Sequence, residues 1–293
     1  MDVVRFSLDK LPEPSKGLSL ALGNFDGLHI GHQRLFVETA LHAKGDSAVL
    51  FFKKPYGGGP ILTDVEDKLR LSLPSRLDRC YVLENDESLF DMEAEEFIEK
   101  VLVPLGTARV VVGEDFRFGQ GAKGNPELLK KYFDVEIVPL LQLEGSKVSS
   151  SAIKALLFED EVELATEWLG RPYELRGIIS KGLGNGRTIG FPTANLELAA
   201  DYVLPLPGVY CGVAYVSGIA YRAMINVGTN PTVGKLDQPI VEAHLLDFDK
   251  ECYGQTCYVS FLRFIREEKR FDSLEELRKQ LVQDEATVRE MLA

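Results

Sequence analysis

The pattern of apolar and polar positions divides the chain into two halves of different character. In the first half, short apolar runs alternate with longer amphipathic runs, as strands and helices do in a parallel sheet with right-handed crossovers. The apolar runs predict strands over residues 18–22, 47–52, 79–83, 108–112 and 135–140. The amphipathic runs predict helices over residues 33–43, 65–71, 94–103, 128–132, 152–158 and 161–169. We therefore expect an α/β domain with a Rossmann-like parallel sheet.

The pattern changes after the last of these helices. Gly170, Arg171 and Pro172 interrupt it, and short strands separated by turns follow from Tyr173 onward. Strands are predicted over residues 173–180, 208–216, 219–227, 240–246 and 257–262, and a closing helix over residues 273–292. Ser273 and Glu276 have the spacing of a capping box at the start of that helix. We expect a small antiparallel barrel and divide the chain into domains 1–170 and 171–293.

Composition and charge narrow the choice of partners. A length of 293 residues suits two domains, and 45% hydrophobic with 27% charged residues is typical of globular proteins. The net charge of -12 argues against nucleic acid or an anionic membrane as a partner. We find no signal peptide, no bilayer-spanning run and no zinc-like cysteine spacing, so we expect a cytoplasmic protein with reduced thiols.

Residues 22–32 carry the first candidate chemistry. Three glycines (Gly23, Gly27, Gly31) and two histidines (His29, His32) lie between a predicted strand and a predicted helix. Glycine lets the backbone approach an anion, and a helix start offers N–H donors with a positive dipole end. The three-residue spacing places both imidazoles on one side, where both can reach one phosphate.

Three other interpretations of these residues compete with phosphate binding. The glycines could form an ordinary turn, the histidines could be capping or packing residues, and Asp26, His29 and His32 could bind a metal. We favour nucleotide phosphates, because His-x-Gly-His directly after a first strand marks a nucleotidyl-transfer superfamily.

Two further loops follow predicted strands in the first half. One loop combines Asp115 and Arg117 with two aromatic rings, Phe116 and Phe118, which need burial or a flat ligand; a plain hydrophilic loop is the alternative. The other opens a helix with a run of serines that could hold phosphates or act only as helix caps. It comprises Ser149, Ser150 and Ser151, with Lys147 and Lys154 on either side.

The second half has three candidate features. Residues 181–187 form a glycine-rich stretch that could fold over phosphates or form a plain hairpin. Thr193 and Asn195 present oxygens two positions apart, which suits Mg²⁺, although turn residues of this kind are common. Glu242 and His244 share one face of a predicted strand, and the pattern alone favours a solvated face for them.

These motifs resemble those of bacterial bifunctional riboflavin kinase/FAD synthetases. The resemblance rests on residues 23–32, 111–119 and 148–151 in the first half. In the second half it rests on the glycine loop, residues 190–195, 226–232 and 264–271, and Glu242. It implies an α/β FMN adenylyltransferase domain followed by a barrel-shaped riboflavin kinase domain, with ATP, riboflavin, FMN and FAD as substrates and products and with Mg²⁺ required.

The resemblance also implies roles for particular residues. In the adenylyltransferase domain, His29 and His32 would stabilise charge on the ATP phosphates, and Asp115, Phe116, Arg117 and Phe118 would contact nucleotide or flavin. The other ATP-binding residues there would be Gly23, Asn24, Phe25, Asp26, Gly31, Ser149, Ser150 and Lys154. In the kinase domain, Glu242 would be the general base. ATP would be bound there by Lys181, Gly182, Gly184, Gly186, Thr193 and Asn195, the last two also binding Mg²⁺.

The chemistry of the two reactions agrees with this division. The FMN phosphate is already an anion and can attack an α-phosphate without a base, whereas a neutral ribityl hydroxyl needs one to attack a γ-phosphate. An aminoacyl-tRNA synthetase-like protein is an alternative, because those enzymes also use His-x-Gly-His. The acidic charge, the serines in place of a lysine-rich loop and the small barrel argue against it. A non-enzymatic flavin or nucleotide carrier is the other alternative.

Overall fold

The computed structural model describes residues 1–55, 57–85, 87–181, 189–230 and 238–293. These residues form two compact units, Met1–Ser150 and Ser151–Ala293, which we describe one at a time. The predicted boundary near residue 170 stays a prediction.

The first unit is built on a six-stranded parallel sheet, which confirms the predicted α/β organisation. Its strands are β1 (Asp2–Phe6), β2 (Leu18–Ala21), β3 (Ser47–Phe52), β4 (Arg79–Leu83), β5 (Thr107–Gly113) and β6 (Asp134–Val138). The helices between them are α1 (Ile30–Leu41), α2 (Val65–Ser72), α3 (Ala94–Phe97) and α4 (Pro126–Leu129). A short hairpin, β7 (Gln142–Leu143) and β8 (Ser146–Lys147), precedes α5 (Ser150–Phe158).

The central strands are buried on both faces, as their apolar runs predict. Leu20 and Leu50 belong to one core cluster, whereas their neighbours Ala21 and Val49 belong to another. The strand β1 was not predicted. It lies at the sheet edge with Val3 47% exposed, so it lacks the continuous apolar run of a buried strand.

The strand order identifies the edge of this sheet at which a ligand is expected to bind. The order is β1-β4-β3-β2-β5-β6, so β2 has β3 on one side and β5 on the other. The chain leaves β2 towards β3 and later continues from β5 on the opposite side, which makes the β2–β5 pair the topological switch point. Ligands of such sheets bind beyond the carboxyl ends of the strands at this point. Residues 22–32 follow β2 there, and residues 113–119 follow β5.

The second unit contains a closed antiparallel barrel, which confirms the predicted fold of the second half. Its strands are β9 (Tyr173–Ser180), β10 (Ala194–Leu198), β11 (Gly208–Val216), β12 (Ile219–Asn230), β13 (Gln238–Leu245) and β14 (Thr256–Glu267). They follow the order β10-β13-β12-β11-β14-β9 around the barrel. Helix α6 (Val162–Leu169) precedes the barrel and α7 (Leu274–Met291) follows it. Strand β10 was not predicted.

Local signals set the helix ends in this unit. Helix α6 ends at Gly170, whose φ of 71° is in the left-handed region that glycine adopts without strain. Ser273 caps α7 by accepting the backbone N–H of Glu276 at 3.2 Å. The carboxylate of Glu276 accepts the N–H of Asp272, so only half of the predicted capping box forms. Val288 of α7 packs against Val209 and Met224 on the outside of the barrel.

Two sequence expectations about the whole chain can be compared with the described residues. All four cysteines are buried and free, as expected of reduced thiols. Within the described ranges, each helix is too short or too polar to cross a bilayer.

Candidate active sites

The turn after β2 contains backbone dihedral angles that are unusual for non-glycine residues. Phe25 and Leu28 have φ of 52° and 44°, in the left-handed region that non-glycine residues rarely adopt, and Gly27 has φ of 80°. The Phe25 ring is fully buried. It packs against His32, Phe36 and Phe51 at centroid distances of 5.2–5.8 Å and so anchors the turn to the core. Strain of this kind collects at functional sites, because the surroundings must fix it in place.

The two histidines come together as the spacing predicts. Their rings are stacked with centroids 3.5 Å apart and planes 20° apart. His29 Nδ1 accepts the backbone N–H of His32 at 3.3 Å, which places the ring proton of a neutral His29 on Nε2. Two imidazolium ions this close repel each other, and bound phosphate would offset that repulsion. Gly31 makes room for the pair, since a Cβ there would lie 3.1 Å from the His29 ring.

Asp26 has a structural role in this turn. Its Oδ1 accepts the backbone N–H groups of Leu62 and Thr63, at 2.8 and 3.0 Å, and its carboxylate is buried. Among the residues described, no three His, Cys, Asp or Glu side chains are gathered as a metal site. The metal interpretation of Asp26, His29 and His32 therefore gains no support. A direct contact of Asp26 with ATP stays a prediction.

The serine run lies beside the same turn. Ser150 Oγ donates to the backbone carbonyl of Asp26 at 2.8 Å, in the turn that precedes α1. Ser149 precedes it and is half-buried, and Lys154 lies four residues further along α5. The structure thus places Ser150 beside the turn that precedes α1, and phosphate binding by Ser149, Ser150 and Lys154 stays a prediction.

An aromatic pocket opens next to Gly23 and Asn24. The Phe116 and Phe118 rings are stacked with centroids 5.5 Å apart, and Phe118 lies 5.9 Å from Phe97. The pocket is lined by these three rings together with Leu22, Gly23, Asn24, Phe52, Leu89, Phe90, Arg117, Gly119 and Ala122. Its apolar, flat-sided lining suits a planar ring system.

Asp115 and Arg117, in the loop after β5, are exposed, and Arg117 also lines the pocket. Asp115 is exposed and its carboxylate forms an ion pair with Lys147 at 2.5 Å. The Arg117 guanidinium donates to the carbonyl of Phe116 at 2.8 Å. Asp115 and Lys147 come from two loops that are 32 residues apart in sequence, and this ion pair joins them.

In the barrel, the candidate base lies in a ladder of polar side chains. Asn195 of β10 is paired with Glu242 of β13, which is paired in turn with Asn226 of β12. Burial raises the pKa of Glu242, and a hydrogen bond from Asn195 opposes that rise. A carboxylate only accepts hydrogen bonds, so the Asn195 amide group donates and its oxygen lies on the side away from Glu242.

The expectation that Glu242 and His244 lie on a solvated face is wrong. His244 is only 8% exposed, its Nδ1 lies 2.8 Å from the carbonyl of Pro192, and its ring lies 5.2 Å from that of Phe191. On the opposite face of β13, Val241 and Ala243 are buried in the barrel. A strand covered on both faces cannot be identified from alternation alone, because the covering residues come from distant parts of the chain.

A cavity of about 730 Å³ lies beside Glu242. Its apolar walls are Val209, Met224 and Ile240 of the barrel and Leu277 and Leu281 of α7. Its polar lining includes Ser180, Lys181, Thr193, Asn195, Asn226, Glu242, His244, Arg266, Glu268 and Lys269. The size and the mixed lining are those of a small-molecule site.

Thr193 and Asn195 also line a second, smaller cleft of about 240 Å³. The other side of this cleft is formed by residues 248–253, which include Asp249 and Lys250. The ammonium of Lys181 lies 5.4 Å from the centroid of the Tyr253 ring. Three predicted ATP-binding glycines, Gly182, Gly184 and Gly186, lie outside the described residues.

Helix α7 forms part of the wall of the larger cavity. Leu274, Leu277 and Leu281 line the cavity beside Glu242. The buried carboxylate of Asp284 accepts Arg266 Nε at 3.0 and 3.1 Å and Arg266 Nη2 at 2.7 Å. This pair fixes the helix to β14. From the sequence, α7 could be recognised only as a charged helix. The Arg266–Asp284 pair could not be predicted, because the sequence does not show that β14 lies beside α7.

Together these features define a class of protein. A parallel sheet with a histidine–glycine turn at its switch point handles nucleotide phosphates. A barrel with a partly buried carboxylate beside a cavity can activate a hydroxyl group. The chain is therefore a two-module transferase that acts on nucleotides.

The comparisons with known proteins identify the family. Residues 11–152 match the FAD synthetase family and residues 169–292 match the riboflavin kinase (flavokinase) family. Bifunctional riboflavin kinase/FMN adenylyltransferases from Bacillus subtilis and Escherichia coli K12 are 32% and 36% identical to this chain. The alignments cover 90% and 94% of this chain and 89% and 93% of the relatives. This chain belongs to the bifunctional riboflavin kinase/FMN adenylyltransferase family.

A solved structure agrees with the fold along the whole chain. A crystal structure described as a macrolide-efflux protein from Streptococcus pneumoniae is 31% identical, with a TM-score of 0.86 and 99% of both chains covered. The family, the enzyme class and the order of the two modules are confirmed as predicted.

Proposed function

We propose that this chain makes FAD from riboflavin at the two sites described above. At the barrel site, riboflavin and ATP give FMN and ADP. At the switch point of the sheet, FMN and a second ATP give FAD and diphosphate. The observation that carries this assignment is the partly buried Glu242 beside the barrel cavity, because only the first reaction needs a base. We assign residues 1–170 to adenylyl transfer and residues 171–293 to the kinase.

In the kinase reaction, Glu242 would accept the proton of the ribityl hydroxyl as its oxygen attacks the γ-phosphorus of ATP and ADP leaves. The raised pKa brings this carboxyl closer to neutral pH, where a general base works best. The cavity walled by α7 would hold riboflavin. The smaller cleft would hold ATP, with Lys181 at its edge. Thr193 and Asn195 line both spaces and so stand between donor and acceptor.

The oxygen donors at this shared wall fit Mg²⁺. The Thr193 hydroxyl and the Asn195 amide oxygen are hard ligands, and Mg²⁺ is usually held by few protein groups together with substrate phosphates. When bound, the ion would neutralise charge on the phosphate oxygens. Thr193 and Asn195 would hold it, and Asn195 would at the same time keep its hydrogen bond to Glu242.

In the adenylyl transfer reaction, an oxygen of the FMN phosphate would attack the α-phosphorus of ATP, and diphosphate would leave. This nucleophile is already charged, so the site must position the groups and offset their charge. His29, His32 and the N–H groups at the starts of α1 and α5 would do so, with Ser149, Ser150 and Lys154 on the polyphosphate. The pocket of Phe116 and Phe118 would take the flavin ring, with Asp115 and Arg117 at its edge.

A chromatographic time course tests both assignments in one chain. Protein would be given riboflavin, ATP and Mg²⁺, and FMN and FAD would be quantified separately. We expect FMN first and FAD later. The Glu242→Gln variant should form no FMN from riboflavin but should still convert added FMN to FAD. With the His29→Asn variant, FMN should accumulate. Unchanged ATP with neither product would favour a carrier and overturn the proposal.

The same arguments apply to location and partners. We propose a cytoplasmic enzyme with small-molecule substrates and without nucleic acid or membrane partners. The net charge of -12 supports this, because it opposes binding to other polyanions.

A further inference from the structure

A lysine that was not among the predicted site residues is buried beneath the turn after β2. Lys68 of α2 is 3% exposed, and its ammonium donates to the backbone carbonyl of Asn24 at 2.8 Å. A buried ammonium is costly unless its hydrogen bonds compensate for the lost hydration. A buried lysine at this position therefore indicates that the contact with the turn matters.

Lys68 is part of a larger set of contacts between residues 62–68 and residues 24–27. Leu62 and Thr63 donate backbone N–H groups to Asp26, and Thr63 Oγ1 accepts the N–H of Gly27 at 2.8 Å. We call residues 62–68 the brace. Asp64 and Asp67 form a capping box at the start of α2, which fixes the direction in which the brace enters the helix.

The brace controls which way the backbone of the turn points. A trans peptide holds its carbonyl and its N–H on opposite sides. Because the carbonyl of Asn24 faces Lys68, the N–H of Phe25 faces away from α2. The next residue, Phe25, has a left-handed φ of 52°, which a non-glycine residue adopts only when its surroundings hold it there.

We propose that the brace is a positioning element for adenylyl transfer, with Lys68 and Thr63 as its acting side chains; this rests on the proposed function of the first site. Lys68 fixes the Asn24 peptide, and Thr63 fixes that of Gly27. Together they keep the turn in the shape in which His29 and His32 stack. The ammonium also adds positive charge behind a site that binds polyphosphate.

Substitution of Lys68 tests this inside the intact chain, with riboflavin kinase activity as the internal control. Lys68→Met should lower kcat for FMN-to-FAD conversion about 10- to 100-fold, the range expected when a hydrogen bond from a charged group is lost. Lys68→Arg keeps a cationic donor and should restore kcat to within about fivefold of the parent. Neither change should alter kcat or KM of the kinase.

A second substitution covers the case in which Lys68→Met does not fold. Thr63→Val keeps the shape of the side chain and removes the acceptor for Gly27, and it should also lower kcat for adenylyl transfer. A folded Lys68→Met or Thr63→Val chain that makes FAD within twofold of the parent rate would overturn the proposal. A parent chain that makes FMN but no FAD would overturn the proposed function, and the role of the brace with it.

Discussion

The pair that fixes α7 to the barrel gives a prediction whose size follows from the structure. Asp284 is 2% exposed, and its two oxygens accept Arg266 Nε, Arg266 Nη2 and Gln280 Nε2 at 2.7–3.1 Å. Asp284→Asn keeps the shape but removes the charge, and it turns one acceptor towards the guanidinium into a donor. Arg266, whose side chain is 20% exposed and also lines the cavity beside Glu242, then keeps only part of its hydrogen bonding.

Breaking a buried ion pair by removing one partner costs about 3–5 kcal/mol, because the remaining charge is uncompensated. The asparagine keeps one oxygen acceptor, so we expect a loss near the lower end, about 3 kcal/mol in the free energy of unfolding. Helix α7 also lines the cavity beside Glu242, so KM for riboflavin should rise. Adenylyl transfer from added FMN should be unchanged.

The chain contains one tryptophan, which makes the measurement specific. Trp168 is buried in α6 of the second unit. Its fluorescence during urea unfolding therefore reports the unit that contains the barrel and α7. Asp284→Asn should move the midpoint of that transition to lower urea without a large change of slope.

A double variant separates the charge argument from simple packing. Arg266→Met combined with Asp284→Leu removes both charges, and it should be more stable than Asp284→Asn, since apolar replacement of a whole buried pair is often neutral. A loss below about 0.5 kcal/mol for Asp284→Asn, the size of an ordinary surface change, would refute the reasoning. So would a double variant less stable than the single one.

Four further outcomes are expected. Glu242→Gln should abolish the kinase yet raise the midpoint of tryptophan-detected unfolding at neutral pH. The raised pKa means that the partly buried carboxylate opposes folding once it is charged, so the stability of the variant relative to the parent should increase as pH rises above about 4.5; a lower midpoint for the variant at neutral pH would contradict this. His29→Asn should slow FAD formation about 100-fold and leave the kinase unchanged, because it removes an electrostatic contact to the phosphates. Gly212→Ala should destabilise the barrel by about 1–3 kcal/mol, since its Cβ would lie 2.2 Å from the Ser260 carbonyl oxygen; Gly58→Ala, with nothing within 4 Å, is the control. Chelation of Mg²⁺ should stop both reactions in the time-course assay, and excess Mg²⁺ should restore them.

The fold was predictable where one run of residues decides an element. The strands β2 to β5 were predicted because each is a continuous apolar run, and β9 and β11 were predicted with their observed bounds. The strand β1 was missed because one side of it is exposed at the sheet edge. The strand β10 was missed because it begins directly after Pro192 and Thr193, which on their own are typical of a turn.

The site was predictable where its residues are neighbours in sequence. His29 and His32 belong to one turn, and their stacking follows from their spacing. The burial of Glu242 depends on residues 189–193 and on α7, which lie far from it in sequence. Lys68 reaches Asn24 across 44 residues. Its sequence surroundings resemble the exposed face of any amphipathic helix, so local patterns give it no distinguishing signal.

The two sites also differ in a way that the chemistry explains. In the assignment proposed above, adenylyl transfer uses a nucleophile that is already an anion, at a site that contains helix starts, paired imidazoles and a buried lysine, all of which favour negative charge. The kinase must remove a proton from a neutral hydroxyl, and at its proposed site burial raises the pKa of the Glu242 carboxyl. Merging the two would bring the cationic groups beside Glu242 and lower its pKa, which would weaken it as a base. Separation of the two reactions into two modules avoids this conflict, because each site keeps the charge environment that its own reaction needs even though both reactions consume ATP.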